Sequence, residues 1–112
     1  VKRRGLTGLA LLALLGLAAC QRFSERDFVG DWQSSRAVTP LHLAANGEWE
    51  LRQADGSVLQ YGLWRVEGKT LVWSVRQGER VIDDPTPVLK VKRDTFSIRE
   101  RDGATTVFRR LP

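Results

Sequence analysis

The sequence predicts an all-β fold: a single small antiparallel up-and-down meander of eight or nine short strands, closing into a barrel or half-barrel. Three observations predict it. Tight-turn dipeptides recur at Asn46-Gly47, Asp55-Gly56, Glu67-Gly68, Gln77-Gly78, Arg93-Asp94 and Asp102-Gly103, where hairpin turns need glycine or another residue tolerant of positive φ. Between them, apolar and polar residues alternate with the period of a half-buried strand. No window after residue 20 carries a helical apolar stripe.

The chain opens on a basic head, Lys2, Arg3 and Arg4, followed by an uncharged apolar run over 5–19. That run is short of the ~20 apolar residues a transmembrane helix needs. A basic head, an apolar middle and a small-residue end describe a secretory signal peptide. The run stops at Cys20, the single cysteine of the sequence, which excludes an intramolecular disulfide. Leu17-Ala18-Ala19-Cys20 resembles the lipobox of bacterial lipoproteins. The resemblance implies a signal peptide over 1–19, cleavage before Cys20, a diacylglyceryl group on its thiol and acylation of the new amino terminus. Two lipid signals already give stable anchoring, so a membrane is the first expected partner. By the same resemblance, Gln21 in place of Asp implies an outer-membrane address facing the periplasm in a Gram-negative host. Residues 20–27 are then anchor and short tether, with Ser24 and Asp27 spaced to cap one helical turn. Residues 28–112 form the domain.

The sequence holds 18 basic and 13 acidic residues, and the leader accounts for three of the basic ones. Cleavage therefore leaves 15 against 13, a net charge of +2, spread along the strands. Neither that balance nor a periplasmic address argues for a nucleic-acid partner. Lys90-Val91-Lys92-Arg93 and Arg109-Arg110 are the dense basic spots, and they read as solvated strand faces.

The expected strands run over 30–36, 41–45, 48–52, 58–66, 70–76, 80–83, 88–92, 95–99 and 105–111. Leu41 and Leu43 flank His42, and Trp49 and Leu51 flank Glu50. Leu71, Trp73 and Val75 share a face, as do Phe96 and Ile98. The longest strand changes phase: Leu59, Tyr61 and Leu63 share one face, Trp64 and Val66 the other, with Gly62 between them at a bulge or bend. Asp83-Asp84-Pro85-Thr86-Pro87 reads as a loop or frayed edge, because proline is excluded from central strands. Sequential strands pair by default, and closure would remove the exposed edges.

Gly30-Asp31-Trp32, near the start of this all-β pattern, resembles the Gly-x-Trp motif of lipocalins and the wider calycin group. The stretches 62–68 and 107–110 resemble small bacterial lipoproteins with lipocalin-like domains. The resemblance implies that Trp32 closes a barrel floor and that Arg109 or Arg110 packs across its indole. A guanidinium on an indole contributes ~0.5–2 kcal/mol. The chain is shorter than a typical lipocalin. Its four tryptophans, Trp32, Trp49, Trp64 and Trp73, are expected to plug the interior or leave a small pocket.

Catalytic chemistry finds little support. His42 is the lone histidine, expected on the outer face, and a zinc site needs further ligands. Ser34 and Ser35 have no identifiable base partner. Asp83 and Asp84 supply too few ligands for a calcium loop, and Glu48 and Glu50 read as a surface charge ladder with Arg52. No enzyme activity, metal or cofactor is expected. The sequence points instead to a non-catalytic binding or interaction module of the cell envelope, with a protein partner. A carrier of a small apolar ligand is the alternative, with a pocket at Leu59, Tyr61, Leu71 and Trp73. A periplasmic protease or lysozyme inhibitor is a further alternative.

Overall fold

The computed structural model describes residues 23–112; the leader and the lipidation site expected at Cys20 lie outside the described residues. Eight antiparallel strands close into a barrel in sequence order. They are β1 (Gly30–Ser34), β2 (Leu41–Leu43), β3 (Glu48–Arg52), β4 (Val58–Glu67), β5 (Thr70–Gln77), β6 (Arg80–Val91), β7 (Thr95–Arg99) and β8 (Thr105–Arg110). Each strand pairs with the next, and β1 closes the ring against β8 through Trp32 opposite Arg110. The all-β meander expected from the alternation is therefore the fold, with eight strands.

The two short strands expected over 80–83 and 88–92 are one strand, and the Pro-containing stretch between them is not a loop. Pro85 lies opposite Val72 and Pro87 opposite Thr70. The prolines are tolerated because of where their missing N–H groups would point. Val88 donates its N–H across to Lys69 on the β5 side, so backbone alternation turns residues 85 and 87 toward the other side. There β7 pairing begins only at Val88. Proline on such an edge forfeits no ladder bond and blunts the edge.

The described core is Phe28, Trp32, Leu41, Leu43, Trp49, Trp64, Leu71, Val88, Phe96, Ile98 and Phe108. Its densest part is the floor. Phe96 meets Phe28 edge-on at 5.1 Å, meets Trp32 edge-on at 4.7 Å and stacks on Phe108 at 4.7 Å. Residues 23–27 are part of this floor rather than a free tether. Phe23 packs edge-on against Phe28, and one 3-10 turn (Glu25–Asp27) is held by the Ser24 N–H donating to Asp27 Oδ2 at 2.9 Å. Segment 23–112 thus contains the whole closed ladder, its floor and the whole described core, and folds as a unit.

β4 does not change phase at Gly62. Gly62, Trp64 and Val66 face inward, while Tyr61 and Leu63 face out at 72% and 56% exposure. Gly62 lies opposite Trp49. A Cβ there would sit 2.5 Å from Trp49 Nε1 and collide with the Ser74 carbonyl oxygen. The irregularity in β4 is instead a register shift, where Leu51 pairs Gln60 and Arg52 pairs Val58.

Candidate functional site

The barrel ends differ because their inward side chains differ. At the floor, Trp32 donates from Nε1 to the Phe28 carbonyl at 2.8 Å. The Arg110 guanidinium lies 4.2 Å from the Trp32 ring centroid. It also donates to the Val29 carbonyl at 2.7 Å and to the Arg93 carbonyl at 3.2 Å. Gly30 makes room for this arrangement, since a Cβ at its φ of +140° would sit 2.5 Å from Arg110 Nη1. Of the two arginines considered for this position, Arg110 occupies it; Arg109 points out with Val107, and Phe108 and Arg110 point in. Trp64 seals the next sector by donating from Nε1 to the carbonyls of Ala44 and Glu48 at 3.2 and 3.0 Å.

Toward the other end the interior opens into a cup of about 700 Å³. This is within the ~300–1,000 Å³ range of small-molecule sites. Its wall is largely apolar, built from Leu41, Trp49, Leu51, Trp73, Val75, Ile98 and Phe108, with the buried hydroxyl-bearing Thr86 and Thr106 set among them. Trp49 and Trp73 meet edge-on at 6.3 Å. Trp49 Nε1 is buried without a hydrogen-bond partner among the described residues.

The rim is charged and strapped. Arg36, in the β1–β2 connection, pairs with Asp102 in the β7–β8 turn at 3.3 Å. Arg101 of the same turn pairs with Asp84 of β6 at 3.0 Å. The Ala104 N–H donating to Asp102 holds that carboxyl below its ordinary value, and Arg36 adds to the effect. Thr106, buried in the wall, donates to Glu100 at 2.8 Å.

The four residues expected to line a pocket do not come together. Trp73 lines the cup, and Leu71 is fully buried in the core. Leu59 and Tyr61 stand on the outer side of β4 and border a separate slot of about 330 Å³ beside Val75 and Arg76. The interior is also not plugged throughout: Trp32 and Trp64 fill the floor, whereas Trp49 and Trp73 wall an open cup. Leu41, Trp49, Leu51, Val75, Ile98 and Phe108 are the wall residues that the sequence did not mark as a pocket. The signal for them was the inward phase they share with Trp73 and Phe96.

The other polar candidates have structural partners. His42 Nδ1 is 2.5 Å from Asp31 Oδ1, which lies opposite it on β1. Ser34 Oγ accepts from the Arg36 N–H at 3.0 Å, and Ser35 Oγ accepts from the Val107 N–H at 2.9 Å. Asp83 and Asp84 engage different partners, as successive strand residues do. Asp83 accepts from Ser74 and Arg65, which hold its carboxyl below the ordinary value, whereas Asp84 takes Arg101. Glu50 takes Arg52 at 2.7 Å. Among the described residues, no group of three or more His, Cys, Asp or Glu side chains is placed to hold a metal ion. Comparison with family models, with curated proteins and with solved structures finds no match.

Proposed function

We propose that this chain is a non-catalytic binding module of a bacterial cell envelope, anchored through lipid on Cys20, and that its cup takes a small apolar ligand. One observation carries the ligand reading: the cup is open, about 700 Å³ in volume and walled largely by aliphatic and aromatic side chains, with its polar side chains gathered mostly toward the rim. An apolar chain covering the apolar part of this wall releases water favourably, at roughly 25 cal/mol for each Å² of apolar surface covered. The charged rim gives a polar ligand end a place at the mouth. In this reading the likeness to lipocalins extends to ligand carriage, and the address is the periplasmic face of the outer membrane.

Native mass spectrometry of segment 23–112, gently purified from a bacterial host, tests the ligand reading. The expected result is a persistent added mass of one fatty acid or similar lipid. In Leu51→Arg, which sets a charge into the wall, that mass is absent. A bare chain that also fails to take up added single-chain fatty acid sinks the reading. The anchor has its own test. In cells fed labelled fatty acid, the full chain is expected to carry label and fractionate with membranes, and Cys20→Ser to lose both. Membrane fractionation of Cys20→Ser would contradict the lipobox reading.

A protein partner is the second reading, favoured by the outer face of β4. Leu59, Tyr61 and Leu63 alternate there at 54%, 72% and 56% exposure. A contiguous apolar stripe of this kind marks interaction surfaces.

A further inference from the structure

Exposed basic side chains without an ion pair among the described residues occur toward both ends, with Arg76, Arg80 and Arg99 away from the floor and a larger group at it. The ion pairs at the mouth and on the barrel's sides engage Arg36, Arg52, Arg65 and Arg101. At the floor end, Lys69, Lys90, Lys92, Arg93 and Arg109 are exposed and make no ion pair among the described residues. The fold draws these five together. Lys69 in the β4–β5 turn accepts the Val88 N–H on its carbonyl, next to the end of β6 that carries Lys90. Lys92 and Arg93 form the β6–β7 turn, and Arg93 accepts on its carbonyl from Arg110 Nε, beside Arg109. Arg109 itself lies opposite Thr95 at the start of β7. Asp94 lies within this run of turn residues, and Glu67 beside Lys69, Glu25, Asp31 and Glu48 are further exposed carboxylates at the floor end, of which Glu67 pairs with Arg65 and Asp31 with His42. Leu89 stands beside Lys90 at a register shift and is 42% exposed.

The chain also leaves the barrel at this end. Phe23 is packed on Phe28 in the floor, so three positions, 20–22, connect the floor to the expected lipid. At ~3.3–3.6 Å per residue three positions reach at most about 10 Å, comparable with the ~8–10 Å Debye length at physiological salt. A lipid on Cys20 therefore holds the floor where basic side chains feel an anionic surface.

We propose that the floor-end patch of Lys69, Lys90, Lys92, Arg93 and Arg109 rests on anionic lipid headgroups, with Leu89 at the headgroup boundary, so that the cup opens away from the membrane. The inference rests on the membrane address proposed above, but its test does not use the anchor. Segment 23–112 is mixed with vesicles of phosphatidylethanolamine carrying phosphatidylglycerol, or of phosphatidylcholine alone, and the bound fraction is measured by co-sedimentation. Binding is expected to the anionic vesicles only and to fall steeply with added salt. Lys90→Gln/Lys92→Gln/Arg93→Gln is expected to weaken it by about tenfold or more. Arg76→Gln/Arg80→Gln/Arg99→Gln removes the same charge away from the floor and is expected to keep most of the binding. Equal loss in both triple variants would reduce the effect to net charge and overturn the proposal. So would the absence of binding to anionic vesicles, including the case where the segment binds an anionic polymer such as heparin instead. Neither failure touches the Cys20 test, and failure of the Cys20 test leaves the vesicle result standing.

Discussion

Trp32→Ala is expected to cost about 3–5 kcal/mol, the usual range for truncating a buried aromatic to alanine. Trp32 is 0% exposed and sits at the meeting point of the floor. Its loss removes the edge-on contact with Phe96 at 4.7 Å and the surface under the Arg110 guanidinium at 4.2 Å. It also strips the buried Phe28 carbonyl of its 2.8 Å donor. Leaving such a group unsatisfied adds about 1–3 kcal/mol of desolvation cost. Domain stabilities are only about 5–15 kcal/mol, so the change removes a large share of the total. Trp32→Phe keeps an aromatic ring but not the Nε1 donor, and should fall between the two. Urea unfolding of segment 23–112 checks this: the midpoint drops while the slope stays that of a two-state barrel. A Trp32→Ala unfolding free energy within about 1 kcal/mol of the parent would mean that the floor is not where stability is concentrated.

Gly62→Ala should destabilise the fold although the change is one methyl group. The added Cβ would sit 2.5 Å from Trp49 Nε1 and collide with the Ser74 carbonyl oxygen on β5. The indole can tilt, but the carbonyl belongs to the strand opposite, where Leu63 pairs with Ser74. Relief therefore requires β4 and β5 to move apart at the point where their ladder begins. Overpacking of this kind typically costs about 1–3 kcal/mol. The displaced Trp49 should also disturb the cup, so ligand uptake and stability fall together. Gly56→Ala is the contrasting change: nothing lies within 4 Å of its added Cβ, and the cost is backbone strain at a φ of +86°. Thermal melts of the two variants, with near-ultraviolet circular dichroism for the indoles, distinguish them. A Gly62→Ala melt equal to the parent's, with an unchanged indole signal, would contradict the close approach.

Most of the barrel was legible because local chemistry and burial agree along it. In β2, β3 and β7 the apolar residues fall on one face only, and turn glycines bound the hairpins. Reading failed where two cues conflicted. In β4, Leu59, Tyr61 and Leu63 match the apolar content of Gly62, Trp64 and Val66, and periodicity separates two faces without saying which is inside. Trp49 decides it, because only a glycine opposite leaves space for its indole. In β6, proline chemistry argued against a strand, but the objection applies to a strand paired on both sides, and residues 80–87 pair with β5 alone. Phe108 made Arg110 the inward arginine by parity, a cue present in the sequence before any pairing was known. The Asp31–His42 contact and the rim pairs depend on registers between separate strands and turns, which no single stretch of sequence encodes.

An apolar chain held in the cup is proposed to lie between Trp49 and Trp73. The most direct test is a fluorescence titration of segment 23–112 with a fatty acid brominated along its chain, since bromine quenches only nearby indoles. Saturable quenching at one ligand per barrel is the expected result. Part of the emission should survive from Trp32 and Trp64 in the floor, and Leu51→Arg should abolish the effect. Quenching that never saturates, or a folded barrel whose indoles the ligand leaves untouched, would contradict it.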